Sequence, residues 1–285
     1  VTGAAAELNA TFAGVAAGDQ DAAAAAACAM LGDTGWVEAL LAGWAAALRA
    51  DAWFQPPTRA ARDPLRCSLV LAQVAAGTVI ASVLSAAALA VRTPAATVVT
   101  SGRVSVTRYQ RAGVATLRRW HAGTVAEPFD ADTAAALVVL PSRRLADGEI
   151  VVCDGRCEAQ LLEGIEEDVV TVSFAAAGGG LTREYDRESG RLIRAASNDA
   201  AASRTRMLLT LLRVSGRADA GDAFDAATRT EEFHLRWAAM REWLALDARA
   251  ALPRLHALAD ADPHPQVRAA ARATLPLVEE RLCRA

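Results

Sequence analysis

Side chains that could carry chemistry are few in this chain, and their spacing limits what they can do. The most suggestive set is Cys153-Asp154-Gly155-Arg156-Cys157. A turn at Asp154-Gly155 carries the two thiols toward opposite strands of a hairpin, as a redox pair or half of a metal site requires. The spacing is C-x3-C, however, and no second pair completes four ligands. We read these as ordinary thiols beside a turn and expect neither a metal nor a cofactor. Of the four histidines, only His121 falls in the β-patterned middle of the chain; His234, His256 and His264 lie near its end. His121 and Tyr109 are the candidate acid–base groups. Arg103, Arg108 and Arg118, in the same stretch, are the candidate binders of an anionic ligand. The acidic run Glu163, Glu166, Glu167 and Asp168 reads as a solvated loop meeting the protein's own arginines. No nucleophile elbow, Walker loop or dinucleotide fingerprint is present, and Gly178-Gly179-Gly180 lacks the lysine and helix start of a phosphate loop.

Charge is distributed unevenly. The net value is −3 and there is no lysine among the 30 basic residues, a bias that GC-rich bacterial codon usage produces. Residues 51–121 hold nine arginines against two acids, and 122–199 seven against fifteen. The two halves are expected to neutralise each other within one β structure. A slightly acidic chain without a recognised motif disfavours nucleic acid as a partner. Five scattered cysteines suit a reduced compartment. The alanine-rich stretch 22–48 is interrupted by Asp33, Glu38, Gly32 and Gly35 and has no basic flank before Arg49, so neither a signal peptide nor a membrane span is expected. The expectation is a soluble, cytoplasmic protein.

The elements that must position these groups follow from periodicity. Residues 1–50 read as alanine-rich helices, with Asp19 and Asp33/Thr34 as caps and an apolar stripe Trp36, Leu40, Leu41, Trp44, Leu48. The proline-rich segment 51–66 is non-helical, with Trp53-Phe54 expected to plug an end of the next domain. From 67 to 197 the period becomes two, in eleven short runs separated by glycine turns: 68–74, 78–84, 97–100, 103–109, 115–120, 136–140, 149–152, 158–162, 169–174, 182–185 and 192–195. Val104, Val106 and Arg108 alternate with Ser105, Thr107 and Tyr109. A short helix is expected at 85–92. Arg183, Arg187, Arg191 and Arg194 alternate with acids and predict a solvated ribbon of cross-strand ion pairs. After 200 the chain returns to helix. An amphipathic segment at 203–215 carries Met207, Leu208, Leu211 and Leu212, and Leu235-Arg236 aligns with Val267-Arg268, 32 positions on.

Two resemblances come out of these residues. Asp262-Pro263, Val267-Arg268, Ala269–Ala271 and Leu275 resemble the second helix of a HEAT repeat, which implies stacked helical hairpins over the last 55 residues or so, with the arginine bonding turn groups. The stretch 143–174, with its Gly148-Glu149 turn, is similar in rhythm to the middle of a cupin barrel; it departs from that family in lacking the metal-binding histidines. The expected fold class is therefore α+β and multidomain, in three parts. Residues 1–50 form N-terminal helices, 51–199 a central antiparallel, cupin-like barrel or sandwich, and 200–285 a HEAT-like helical domain. The function expected is non-catalytic binding or assembly, with a protein partner or a second copy on the helices and a small anionic ligand or plain rigidity from the β domain. The alternative is a cupin-type isomerase, lyase or atypical metal-dependent oxygenase acting on a small anion.

Overall fold

A computed structural model describes residues 8, 10–16, 18–125, 129, 131 and 133–284. It is a mixed α+β structure that divides into two compact units. One comprises Val1–Val125 with Ala131–Asn198, the other Ala126–Asp130 with Asp199–Ala285. The N-terminal helices thus share a unit with the sheets, and the division has two parts where the sequence suggests three.

The first unit is built on a six-stranded antiparallel sheet. Its order is β1 (Ala60–Arg62), β2 (Arg66–Val74), β3 (Gly77–Leu84), β10 (Val169–Ala176), β5 (Val104–Arg111) and β8 (Glu149–Asp154). A second sheet orders β7 (Val138–Arg144), β6 (Thr116–His121) and β9 (Glu158–Glu163), and a third β12 (Leu192–Ser197), β11 (Leu181–Asp186) and β4 (Thr97–Thr100). All eleven sequence-predicted strands form; only the three-residue β1, inside the proline-rich entry segment, is additional. No pairing among the described residues closes the sheets into a barrel, so the arrangement is sandwich-like.

Alternation along β5 decides the two faces of the large sheet. Val104 and Val106 join Val79, Val172 and Phe174 in a core shared with helix α1 (Gln20–Gly32) and helix α2 (Gly35–Ala50), through Ala23, Ala27, Leu31, Val37, Leu40 and Trp44. Phe12 stacks on Phe174 with centroids 4.9 Å apart. Asp19 caps α1, its Oδ1 accepting from the Ala22 amide at 2.9 Å. Thr34 does not cap α2; its hydroxyl accepts from Gln110 Nε2 at 2.8 Å. Trp53 is 89% exposed and plugs nothing, whereas its neighbour Phe54 packs on this core. The other face of the large sheet presents Tyr109, Val151 and Val169 to Leu117 of β6. Trp120, on the opposite face of β6, packs with Ala159 and with Val98 of β4.

The charge halves do meet: Arg118–Glu163, Arg119–Glu158 and Arg111–Glu167 are ion pairs linking 51–121 to 122–199. The predicted ribbon forms in part, with Glu184 paired to Arg194. Arg183 departs from it. It is 2% exposed and donates to the carbonyls of Ala122, Gly123 and Arg156 at 3.0, 2.9 and 2.7 Å. Period two explains this, since Arg183 shares the buried face of β11 with Tyr185 while Glu184 and Asp186 face away.

The second unit contains α4 (Ala200–Val214), α5 (Gly221–Ala227), α6 (Phe233–Leu246), α7 (Ala248–Ala261) and α8 (Pro265–Arg284) around Phe224, Met240, Trp243, Leu255 and Leu258. The 32-residue repeat has a geometric counterpart. Arg236 donates to the carbonyls of Thr230 and Glu231, six and five residues back, at 3.0 and 2.7 Å. Arg268 does the same to Asp262 and Pro263, at 2.5 and 3.2 Å. Arg236 also makes a bidentate pair with Asp262, both side chains buried. The apolar face of α4 meets expectation only in part: Leu212 packs on the core of this unit. Ala202 and Leu209 are buried, while Met207, Leu208 and Leu211 are 67%, 62% and 59% exposed. The inner face of α4 instead docks on α6, with Arg213 paired to Glu242 at 2.5 Å.

Removing one partner of the Arg236–Asp262 pair leaves the other charge buried. Asp262→Ala should therefore cost about 3–5 kcal/mol, read from denaturant midpoints, and pairing it with Arg236→Leu should recover much of that loss. The helical unit should also be acid-sensitive. Burial lowers the pKa of His264, stacked 3.9 Å from Phe233, and that of His234. The unfolded chain then binds more protons than the folded one as pH falls through about 6.5, so the denaturation midpoint should drop between pH 7.5 and 5.5.

Candidate functional site

The inner face of the large sheet bounds a cavity of about 810 Å³ in the first unit. Register sets its lining. Ser82 of β3 lies opposite Thr171 of β10, and Ser173 of β10 opposite Thr107 of β5. Thr107 and Ser173 share a hydrogen bond of 3.0 Å. Each hydroxyl alternates with a residue committed to the helix-side core, such as Val172 or Phe174. The facing wall comes from β6 and β9 through Leu117, Gln160 and Leu162. Gln160 Oε1 is fully buried with no hydrogen-bond partner among the described residues. Helix α3 (Ala86–Ala90) and the segment 92–95 complete the wall, with Arg66 and Arg92 exposed among the lining residues.

Three arginines thus line the cavity, in different states. Arg187 lies over the Trp120 ring, 5.7 Å from its centroid, and is paired with Glu163, which also meets Arg118 at 3.4 Å. Arg66 and Arg92 have no ion-pair partner among the described residues. Their positive field acts on Asp63, whose pKa is lowered first by the backbone amides of Arg66 and Leu65 and further by the charges of Arg66 and Arg92. Tyr109 is buried against the cavity, and burial pushes its hydroxyl up to about 12. At neutral pH it is an uncharged hydrogen-bonding group, not a base.

Of the sequence candidates, the structure places Tyr109 on the cavity and the other four elsewhere. Arg108 lies on the opposite face of β5, where its guanidinium donates to the carbonyls of Leu31 and Gly32 at 2.9 and 3.0 Å and closes the C-terminus of α1. Arg103 donates to the Asn198 carbonyl at 3.3 Å. Arg118 is held by Glu163. His121, at the end of β6, is in register with Glu158 and does not line the cavity. Sequence reasoning missed Ser82, Thr171, Ser173 and Gln160. The sequence signal was slight: Thr171 and Ser173 alternate on a strand otherwise rich in valine, while Ser82 and Gln160 stand out by no local pattern.

The two cysteines sit at the β8–β9 turn, where Cys157 N donates to Asp154 O at 3.0 Å. A side chain at Gly155 would collide with Ser101 and with the Arg103 carbonyl, so close approach fixes glycine there. Burial raises the Cys153 thiol to about 12 and the Cys157 thiol also upward, which disfavours the reactive thiolate. All five cysteines are free, and no group of three or more His, Cys, Asp or Glu side chains among the described residues is arranged to hold a metal ion. No helix among them is long and apolar enough to cross a membrane.

No family model matches the chain, and no curated protein sequence does. Solved structures to which the chain shows a weak likeness include a sugar phosphate isomerase of the cupin superfamily from Silicibacter pomeroyi, 9% identical, covering 48% of this chain and 72% of that one at a TM-score of 0.28. Another is KdgF from Halomonas sp., 8% identical, covering 43% of this chain and 88% of that one at a TM-score of 0.25.

Two outcomes are expected from these electrostatics. Glu163→Gln releases Arg187 toward the cavity and should raise affinity for inorganic phosphate about two- to tenfold, an effect that added salt weakens. Burial raises Tyr109 to about 12 and Tyr185 also upward, so absorbance at 295 nm should show less phenolate at pH 10.5 than two free tyrosines would, unless the protein unfolds.

Proposed function

We propose that this chain is a non-catalytic binding protein, in which a cupin-like β unit holds a small anionic ligand and a HEAT-like helical unit contacts a protein partner or a second copy. The observation that carries the reading is the cavity itself. A half-open cavity of about 810 Å³ is within the range of small-molecule sites, and two arginines without ion-pair partners among the described residues border it. A carboxylate or phosphate there gains charge-assisted hydrogen bonds at little reorganisation cost.

The enzymatic alternative required His121, Tyr109 and the three arginines Arg103, Arg108 and Arg118 to converge. Only Tyr109 reaches the cavity, as a group that stays protonated at neutral pH, and this favours binding over acid–base chemistry. Met207, Leu208, Leu211 and Val214, all exposed on α4, support a role for the helices in contact with another protein.

The test is native mass spectrometry of the purified full chain, followed by anion titration of Arg66→Ala/Arg92→Ala. A retained small anion, with affinity falling tenfold or more in the double variant and the melting temperature unchanged, is the expected result. Unchanged anion affinity in that variant would remove the reading.

A further inference from the structure

We infer that the cavity's ligand is an anion whose carbon chain bears hydroxyl groups, and that Gln160 is the residue that selects for them. The inference rests on the anion-binding reading above and specifies what lies behind the anionic group.

The space between two β-sheets is ordinarily filled by branched aliphatic side chains, because a polar group there must find a partner or lose its hydration. This sandwich obeys that rule on the helix side of β10, with Val172 and Phe174, and breaks it on the cavity side. There Thr171 and Ser173 point inward, with Ser82 and Thr107 across from them on the neighbouring strands. One pair, Thr107 and Ser173, is mutually satisfied. Ser82, Thr171 and Gln160 make no side-chain hydrogen bond among the described residues, and the Gln160 carbonyl oxygen is fully buried. An alkyl chain entering the cavity would strip water from these groups and return nothing. A chain bearing hydroxyls offers each of them a partner. A site built to bond hydroxyls rejects an analogue lacking them, because its own polar groups are then left unpaired. Gln160 is the strongest discriminator, since its amide presents an acceptor and a donor side by side. The anionic group is then left to Arg66 and Arg92, both exposed among the lining residues.

The experiment is equilibrium titration of the full chain with four probes: gluconate, sorbitol 6-phosphate, hexanoate and sorbitol. One or both hydroxylated anions should bind at least tenfold tighter than hexanoate, and the comparison of the two tells carboxylate from phosphate. Gln160→Leu should cut that selectivity ratio at least fivefold. Gln160→Met and Thr171→Val, which conserve volume, guard against a folding defect and should reduce the ratio in the same direction. Equal binding of gluconate and hexanoate, both weakened by Arg92→Ala, would overturn the inference while sparing the anion-binding reading. Sorbitol binding as tightly as the hydroxylated anions would overturn the anion-binding reading and the anionic part of the inference with it, leaving only the selection for hydroxyls by Gln160. No binding of any probe would overturn both.

Discussion

The first unit depends on a large sheet that is buried on both faces for different purposes. Along β5, Val104 and Val106 point toward the N-terminal helices while Thr107 and Tyr109 point toward the cavity. A strand's side-chain period is two, so these assignments are locked together: a slip of one residue would place valines in the cavity and hydroxyls under the helices. Helix packing on one face therefore fixes the register that builds the binding face. Arg108 reinforces this by closing the C-terminus of α1 from the helix-side face of the same strand.

Buried charge is handled in two ways. In the helical unit, Arg236 meets a buried carboxylate, Asp262, and two turn carbonyls, so its charge is neutralised where it lies. In the β unit, Arg183 meets no carboxylate among the described residues; it donates to the carbonyl oxygens of Ala122, Gly123 and Arg156 and lies over the Tyr185 ring. Three charge-assisted hydrogen bonds offset part of its desolvation and hold the ends of β6 and the β8–β9 turn to one point. Both arginines act as fasteners between segments distant in sequence. The guanidinium's several donors suit that role better than an ammonium would.

The site's electrostatics follow from which arginines are already occupied. Glu163 takes up Arg187 and Arg118, Glu158 takes up Arg119, and α1 takes up Arg108. What remains beside the cavity is Arg66 and Arg92. A stretch with nine arginines thus presents a modest, localised positive field at the cavity.

Much of this was legible in the sequence. Period two marked every strand of the three sheets except β1, whose three residues sit among prolines and are too few to carry a pattern. The repeat linking Arg236 to Arg268 was visible as spacing and reappears as the same pair of hydrogen bonds to turn carbonyls. Even the failure of the candidate residues to converge was written in the alternation, because Arg108 and Tyr109 are adjacent on one strand and must face opposite ways. The sequence by itself could not say which face of α4 would be covered, since that depends on what packs against it: Met207, Leu208 and Leu211 stay exposed, while Ala202, Leu209 and part of Leu212 are covered. Nor could it single out Arg183 for burial from its ribbon of charges, or Ser82, Thr171, Ser173 and Gln160 as cavity residues. Those positions acquire meaning only when strands far apart in the chain are brought into register, and such pairing is a property of the folded sheet rather than of any local pattern.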